Sequence, residues 1–125
     1  MKVNDFFLNI NTENVDKLHA FYHDVVGLEP RGDMGPHALQ LGSGALTFDG
    51  HIDTKGKVGE PSRWILSLMV DDAKAERERL EAAGVPFIRK EGIEPWGGKI
   101  STFTDPDGNL CQVVSFHPEL AQTEG

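Results

Sequence analysis

Apolar and polar positions alternate over residues 5–11, with Phe6, Leu8 and Ile10 on one side and Phe7, Asn9 and Asn11 on the other. That is the period of a half-buried strand. The first set is expected to face a covering helix and the second the other side of the sheet. From Thr12 or Asn14, either of which can cap, the period becomes helical to about Val25. Val15, Leu18, Tyr22 and Val25 share one face, Phe21 borders it, and Gly27 fits the stop. Two short strands are expected next, at 28–31 and 37–41, with Gly32-Asp33-Met34-Gly35-Pro36 as the loop between them. Gly42-Ser43-Gly44 then turns the chain into a fourth strand at 45–51.

Residues 53–62 are polar and hold two glycines and a proline, the composition of a linker. Beyond them the pattern restarts. A strand is expected at 64–70, a helix from Asp71 or Asp72 to Ala83 with Gly84 after it, and a strand at 85–90. Lys74–Glu78 and Arg77–Glu81 lie at i,i+4 spacing, so one face of this second helix is solvated. Residues 99–104 and 110–116 are β-rich and flank Asp105-Pro106-Asp107-Gly108-Asn109, whose proline, glycine and side-chain acceptors are turn chemistry. The order strand-helix-strand-strand-strand thus occurs twice. It predicts an α+β fold of two tandem βαβββ modules, at about 4–52 and 63–116, in a single domain over 1–125 with a tail at 117–125. Two curved sheets related by a pseudo-twofold axis would enclose a concave ligand cavity.

Composition narrows the partners. The net charge is −8 and no basic stripe is visible, which disfavours nucleic acid and acidic membranes. The acidity would suit a cationic ligand if it converged on a cleft; otherwise it is a solvated surface that aids solubility. Cys111 is the only cysteine, so an intramolecular disulfide and a cysteine zinc site are excluded. No run is apolar enough for a signal peptide or a membrane span, so a cytoplasmic location is expected.

Several pieces together resemble the vicinal oxygen chelate superfamily, which includes glyoxalase I, extradiol dioxygenases, fosfomycin-resistance enzymes and bleomycin-binding proteins. They are Ala20-Phe21-Tyr22, Val26-Gly27-Leu28, Val70-Asp71-Asp72, Leu80-Glu81-Ala82-Ala83-Gly84-Val85 and Phe103-Thr104-Asp105-Pro106-Asp107-Gly108-Asn109-Leu110. The resemblance spans nearly the whole chain and implies the paired-module fold. It also implies four metal-ligand positions, on the first and last strand of each module, filled in metal-using members by His or Gln and by Glu. The matching residues here are Phe7, Thr47, Ile65 and Gln112. Phenylalanine and isoleucine have no lone pair, and one amide with one hydroxyl does not satisfy a hard divalent cation. Shifting the register by one puts Phe6 or Leu8 and Trp64 or Leu66 there, which are no better. The expectation is therefore no metal, no cofactor, and no metal-assisted isomerisation or ring cleavage.

Alternation from those four positions gives the candidate ligand-binding set: Phe7, Asn9, Thr47, Asp49, Ile65, Ser67, Met69 and Gln112, with Asn11, Leu110 and Val114 alongside. Each apolar member could equally be core between two sheets. Trp96, in Pro95-Trp96-Gly97-Gly98, could stack on a planar ligand, or lid the core or a dimer interface. Asp49 and His51 are the catalytic candidates, as a base and its orienter; a solvated turn histidine is the competing reading. His19 and His23 have a zinc-chelating i,i+4 spacing but read as a surface pair away from the cavity. His37 and His117 carry no pattern, and Cys111 reads as inert core. The leading expectation is a metal-independent protein, bleomycin-resistance-like, that sequesters an antibiotic or other small organic ligand, cationic or aromatic, as a homodimer. The alternative is a glyoxalase-like enzyme (lyase, isomerase or dioxygenase) acting on a small substrate.

Overall fold

The structure, a computed structural model, describes residues 2–122. These fall into two compact units that divide after Lys57. In the first unit, β1 (Phe7–Asn11) leads into α1 (Val15–Ala20), a π-helical turn (Phe21–Val26), a 3-10 turn (Gly32–Met34), β2 (Leu39–Leu41) and β3 (Gly44–Asp49). The sheet has the order β1-β3-β2, with β1 parallel and β2 antiparallel to β3.

Both residues expected at the start of the first helix take part. The Asn14 carboxamide oxygen accepts the Lys17 N–H at 3.1 Å, and the buried Thr12 hydroxyl accepts the Asn14 N–H at 3.1 Å. The helix does not continue as an α-helix to Val25. It widens after Ala20, and the Tyr22 carbonyl accepts the N–H of Gly27 at 3.1 Å, the i→i+5 bond of a π turn. Gly27 ends it at φ 91°, a value that a side chain would strain. The wider turn buries Tyr22 and Val26 beside Leu18, and the Tyr22 ring stacks on Phe48 of β3 at 5.7 Å.

The strand expected at 28–31 is not formed. A single bridge, Pro30 to Leu39, remains, flanked by bonds from Arg31 N–H to Ala38 and from Gln40 N–H to Glu29. Proline has no N–H to give a ladder, so it halts the pairing at one bridge. The first sheet therefore has three strands rather than four, and His37 lies in the loop before β2 rather than on a strand.

The second unit holds β4 (Ile65–Met69), α2 (Ala73–Ala82), β5 (Phe87–Ile93), β6 (Gly98–Thr104), β7 (Leu110–Phe116) and a 3-10 turn (Pro118–Leu120), in the sheet order β4-β7-β6-β5. Asp72 is the α2 cap; its carboxylate accepts the Ala75 N–H at 3.0 Å. Ala73 and Leu80 of α2 are buried, as are Phe103, Cys111 and Val113 of the sheet. The Ala73 N–H also donates to the Ser115 hydroxyl at 3.1 Å, which seats the first turn of α2 on β7. β5 runs longer than expected because it is bulged. Glu91 sits there at φ 43°, unfavourable for a residue with a Cβ. Its N–H donates to Ser101 Oγ at 2.8 Å, and its carboxylate takes two hydrogen bonds from Arg77 at 2.6 and 2.9 Å. Arg77 also reaches Glu81 at 3.0 Å, so α2 and the bulge hold each other. No helix of the described residues is long and apolar enough to cross a membrane.

Replacing the Asp72 cap with alanine orphans a helix N–H and should cost about 1 kcal/mol of stability, read as a lower urea midpoint at unchanged slope. An unchanged midpoint would mean that the cap carries no weight.

Candidate functional site

The β1–β3 ladder sets Asn9 opposite Thr47 and Asn11 opposite Asp49. Side chains alternate across the sheet, so Phe7, Asn9, Thr47 and Asp49 share its open face. They line a cavity of about 380 Å³ together with Met34, Gly35, Pro36, His37, Ala38 and Phe48. Four residues chosen from the sequence thus come together. The Thr47 hydroxyl donates to the Asn9 carboxamide oxygen at 2.6 Å, and the Asn9 amide donates to Asn11 Oδ1 at 3.4 Å. Asp49 supplies the only carboxylate in the lining, and His37 the only imidazole. The 34–38 wall was missed from the sequence. Its glycines and proline announce a loop, but nothing in them says where the loop folds back.

His37 also belongs to a cluster. Its ring meets His19 edge-on at 5.0 Å, and His19 stacks on His23 at 5.6 Å and meets Phe48 at 5.9 Å. Asp24 lies 2.7 Å from His23 Nδ1, and Asp16 lies 3.8 Å from His37 Nε2. The helix pair thus meets the 34–38 loop through the His37 ring. Burial pushes the His19 pKa below its ordinary 6.5, and the neighbouring His37 and His23 push the same way against Asp24 and Asp16.

His51 does not join Asp49. β3 ends at Asp49, and beyond it the His51 ring accepts the Asp53 N–H at 3.1 Å, the solvated-turn alternative. The expected base-and-orienter pair on one strand is therefore not present, because the strand stops too soon.

In the second unit, Ile65, Ser67 and Met69 pair with Leu110, Gln112 and Val114. The Gln112 amide donates to Ser67 Oγ at 2.7 Å. Phe116 follows on the same face, and Trp96 stacks on it at 6.4 Å. A Cβ built on Gly98 would fall 2.1 Å from the indole, so Trp96 lies over that glycine. Trp96 thus shares the open face with Gln112, half exposed, while Trp64 is 81% exposed beside the strand. Behind the sheet, Ser115 Oγ lies 2.7 Å from His117 Nε2, and His117 Nδ1 lies 3.4 Å from Glu119. The order imitates a hydrolase relay, but Ser115 is fully buried and holds the Ala73 N–H, so it fixes the C-terminal turn rather than meeting a substrate.

The residues at the four ligand positions do not fit a metal. Phe7 and Ile65 present no donor atom, which leaves only the neutral Thr47 hydroxyl oxygen and Gln112 carboxamide oxygen, too few for a hard divalent cation. Among the described residues, no group of three or more His, Cys, Asp or Glu could hold a metal ion.

Two outcomes follow. In a Trp64→Phe background, Gly98→Ala should displace the Trp96 indole, with red-shifted emission and greater quenching by iodide; unchanged emission would mean that the indole does not lie over Gly98. Because His19 takes its proton at lower pH in the folded chain than in the unfolded one, the unfolded state binds more protons below about pH 6.5. Stability should fall as pH drops through that window, and the melting temperature of His19→Gln should fall less steeply; parallel slopes would remove His19 from the effect.

The Glyoxalase/Bleomycin resistance protein/Dioxygenase superfamily model matches residues 5–113. A curated relative, "Putative glyoxylase CFP32" of Mycobacterium bovis, is 29% identical over 111 residues, 86% of this chain and 42% of the relative. The chain thus spans less than half the length of that relative. Among solved structures, TnmS3, an antibiotic binding protein from Streptomyces sp. CB03234, is 22% identical with a TM-score of 0.70, covering 93% of this chain and 98% of its own. A glyoxalase/bleomycin resistance protein/dioxygenase family enzyme from Burkholderia phytofirmans is 19% identical with a TM-score of 0.71, covering 89% and 97%. With a family model matching residues 5–113, most of its length, the chain belongs to the Glyoxalase/Bleomycin resistance protein/Dioxygenase superfamily.

Proposed function

We infer that the chain binds a small organic molecule without using a metal, and that it acts by holding the molecule rather than converting it. The observation that carries this reading is the first-unit cavity. Its volume, about 380 Å³, lies in the range of small-molecule sites. Its lining combines the Phe7 ring and the Met34 thioether with a few fixed polar groups, the usual make-up of an organic-ligand pocket. The Asn9–Thr47 bond sets the directions of two of those groups, and Asp49 adds a negative charge that favours a cationic or aromatic-cationic ligand. TnmS3 is an antibiotic binding protein, and sequestration of such a compound is the form of binding proposed for this chain. Ile65, Ser67, Met69, Trp96 and Gln112 are proposed as a second ligand-facing surface on the other sheet. The same reading takes 1–125 as one domain of two modules, acting as a homodimer in the cytoplasm. An enzyme reading has less support, since Asp49 lacks the His51 partner it needs as an oriented base.

The test is direct. Protein purified without an affinity tag should hold no stoichiometric metal and show no change in melting temperature with divalent cations or chelator. In a screen of cationic aromatic compounds, a ligand should give saturable shifts of the Asn9 and Thr47 amides and be recovered unchanged. Phe7→Ala should weaken that binding by roughly 1–3 kcal/mol. Turnover of the compound would sink the sequestration reading, and one tightly held metal per chain would sink metal independence.

A further inference from the structure

We propose that the first-unit cavity selects cations that carry N–H groups, such as an amidinium or a primary ammonium, and that Asp49 and Thr47 are the selecting residues. This rests on the binding reading above and deepens it by naming the head group of the ligand.

The hydrogen bonds already made on the open face are the basis. Thr47 and Asp49 stand two residues apart on β3 and so point to the same side, about 7 Å apart along the strand. The Thr47 hydroxyl gives its proton to Asn9 Oδ1 at 2.6 Å, so what it offers a ligand is a lone pair. The Asn9 amide gives an N–H to Asn11 Oδ1 at 3.4 Å, and its own oxygen is taken by Thr47. Asp49, ionised, can only accept. Of the polar side chains that line the cavity on this face, one Asn9 N–H is left to donate, against both Asp49 oxygens and the spare Thr47 lone pair. The loop wall adds little. Pro36 has no N–H, and the Gly35 and Ala38 N–H groups go to the carbonyls of Gly32 and Gly35.

The Asp49 carboxylate is also unclaimed. Elsewhere in this unit Asp5 and Asp33 share Arg31, and Glu13 takes the Gly56 N–H. Among the described residues the Asp49 carboxylate has no such partner, and neither lysine nor arginine lines the cavity. His37 turns its ring to His19 at 5.0 Å. Asp49 is held instead through its backbone, whose carbonyl accepts the Thr12 N–H at 2.9 Å at the end of β3. A cation with N–H groups on two nitrogens can reach Asp49 and Thr47 together while its aryl group lies on the Phe7 ring. A quaternary ammonium has no N–H and gains only the attraction to Asp49. A neutral carbonyl compound brings an acceptor to a face short of donors.

The probes are benzamidine, benzyltrimethylammonium and benzamide at pH 7.5, where the first two are cations and the third is neutral. Binding is read from the Asn9 and Thr47 amide shifts. Benzamidine should bind roughly tenfold more tightly than benzyltrimethylammonium. In Asp49→Asn, which leaves the backbone bond to Thr12 in place, benzamidine should weaken by a similar factor and benzamide should hardly change. Equal constants for the two cations, or undiminished benzamidine binding in Asp49→Asn, would overturn the proposal. So would benzamidine shifts confined to the Ser67 and Gln112 amides of the other sheet. Benzamide binding without either cation would overturn this proposal and leave the binding reading standing. Failure of all three probes to bind would overturn both.

Discussion

The second sheet depends on one buried carboxylate. Asp105 is 4% exposed and closes the turn between β6 and β7. Its Oδ1 accepts the N–H groups of Asp107 and Asn109, each at 2.9 Å, and its Oδ2 accepts the Asn109 side-chain amide at 2.8 Å. The backbone completes the loop, from Gly108 N–H to Asp105 and from Asp105 N–H to Asn109. A turn fastened at this many points leaves one register for the strands it joins. That matters because a slip of one residue would exchange the faces of β7. Cys111, Val113 and Ser115 would leave the helix side, and Gln112 would leave its bond with Ser67. Since β7 lies between β4 and β6, its register also sets theirs, and the seating of α2 on Ser115 follows.

At the corresponding turn of the first unit the Gln40 side-chain amide donates to the Gly42 and Gly44 carbonyls, and the irregularity lies earlier in the chain. Pro30 stops the pairing after one bridge, so the chain from Gly32 to Ala38 is not drawn into a ladder. It turns beside β3, where Met34 and Asp49 line the same cavity and the His37 ring meets His19. The cavity wall and the imidazole cluster thus exist because a strand failed to form. A fourth strand would have made a more regular sheet and a poorer site.

This difference also marks what could be read from the chain. The alternation at Phe6 to Asn11, the Asp72 cap, Gly27 and Gly84 as stops, and the hairpin about Asp105 each follow from local chemistry that acts within a few residues. The structure has them where that chemistry places them. The grouping of Phe7, Asn9, Thr47 and Asp49 was legible for the same reason, since alternation fixes a face once the strand is known. What escaped depended on contacts between distant segments. The π turn answers to the packing of Tyr22 on Phe48, the bulge at Glu91 to Arg77 and Ser101, and the position of His37 to a loop with no period of its own. The reading of 28–31 as a strand gave β-propensity more weight than the missing N–H of Pro30. His51 was paired with Asp49 by extending a strand two residues past its end.

The open faces of the two sheets differ in kind. Each sheet carries helix on one side and leaves apolar rings or chains on the other, Phe7 at 57% exposure and Met69 at 67% among them. Isolated exposed apolar residues need no explanation, but these lie in rows with fixed polar groups between them. On the first sheet the polar groups dominate, and they include Asp49, so that face can distinguish ligands by charge. On the second, Ile65, Met69, Trp96 and Phe116 surround one amide–hydroxyl pair, and Arg89, opposite Thr102, lies over Gly92 and reaches Glu94 at 2.9 Å. That face offers area and stacking, with the Arg89 charge paired to Glu94. The two faces therefore differ in charge: a carboxylate lines the first, and the Arg89–Glu94 pair lies on the second. The better-clamped four-stranded sheet, whose register Asp105 fixes, is suited to burying whatever apolar surface meets it.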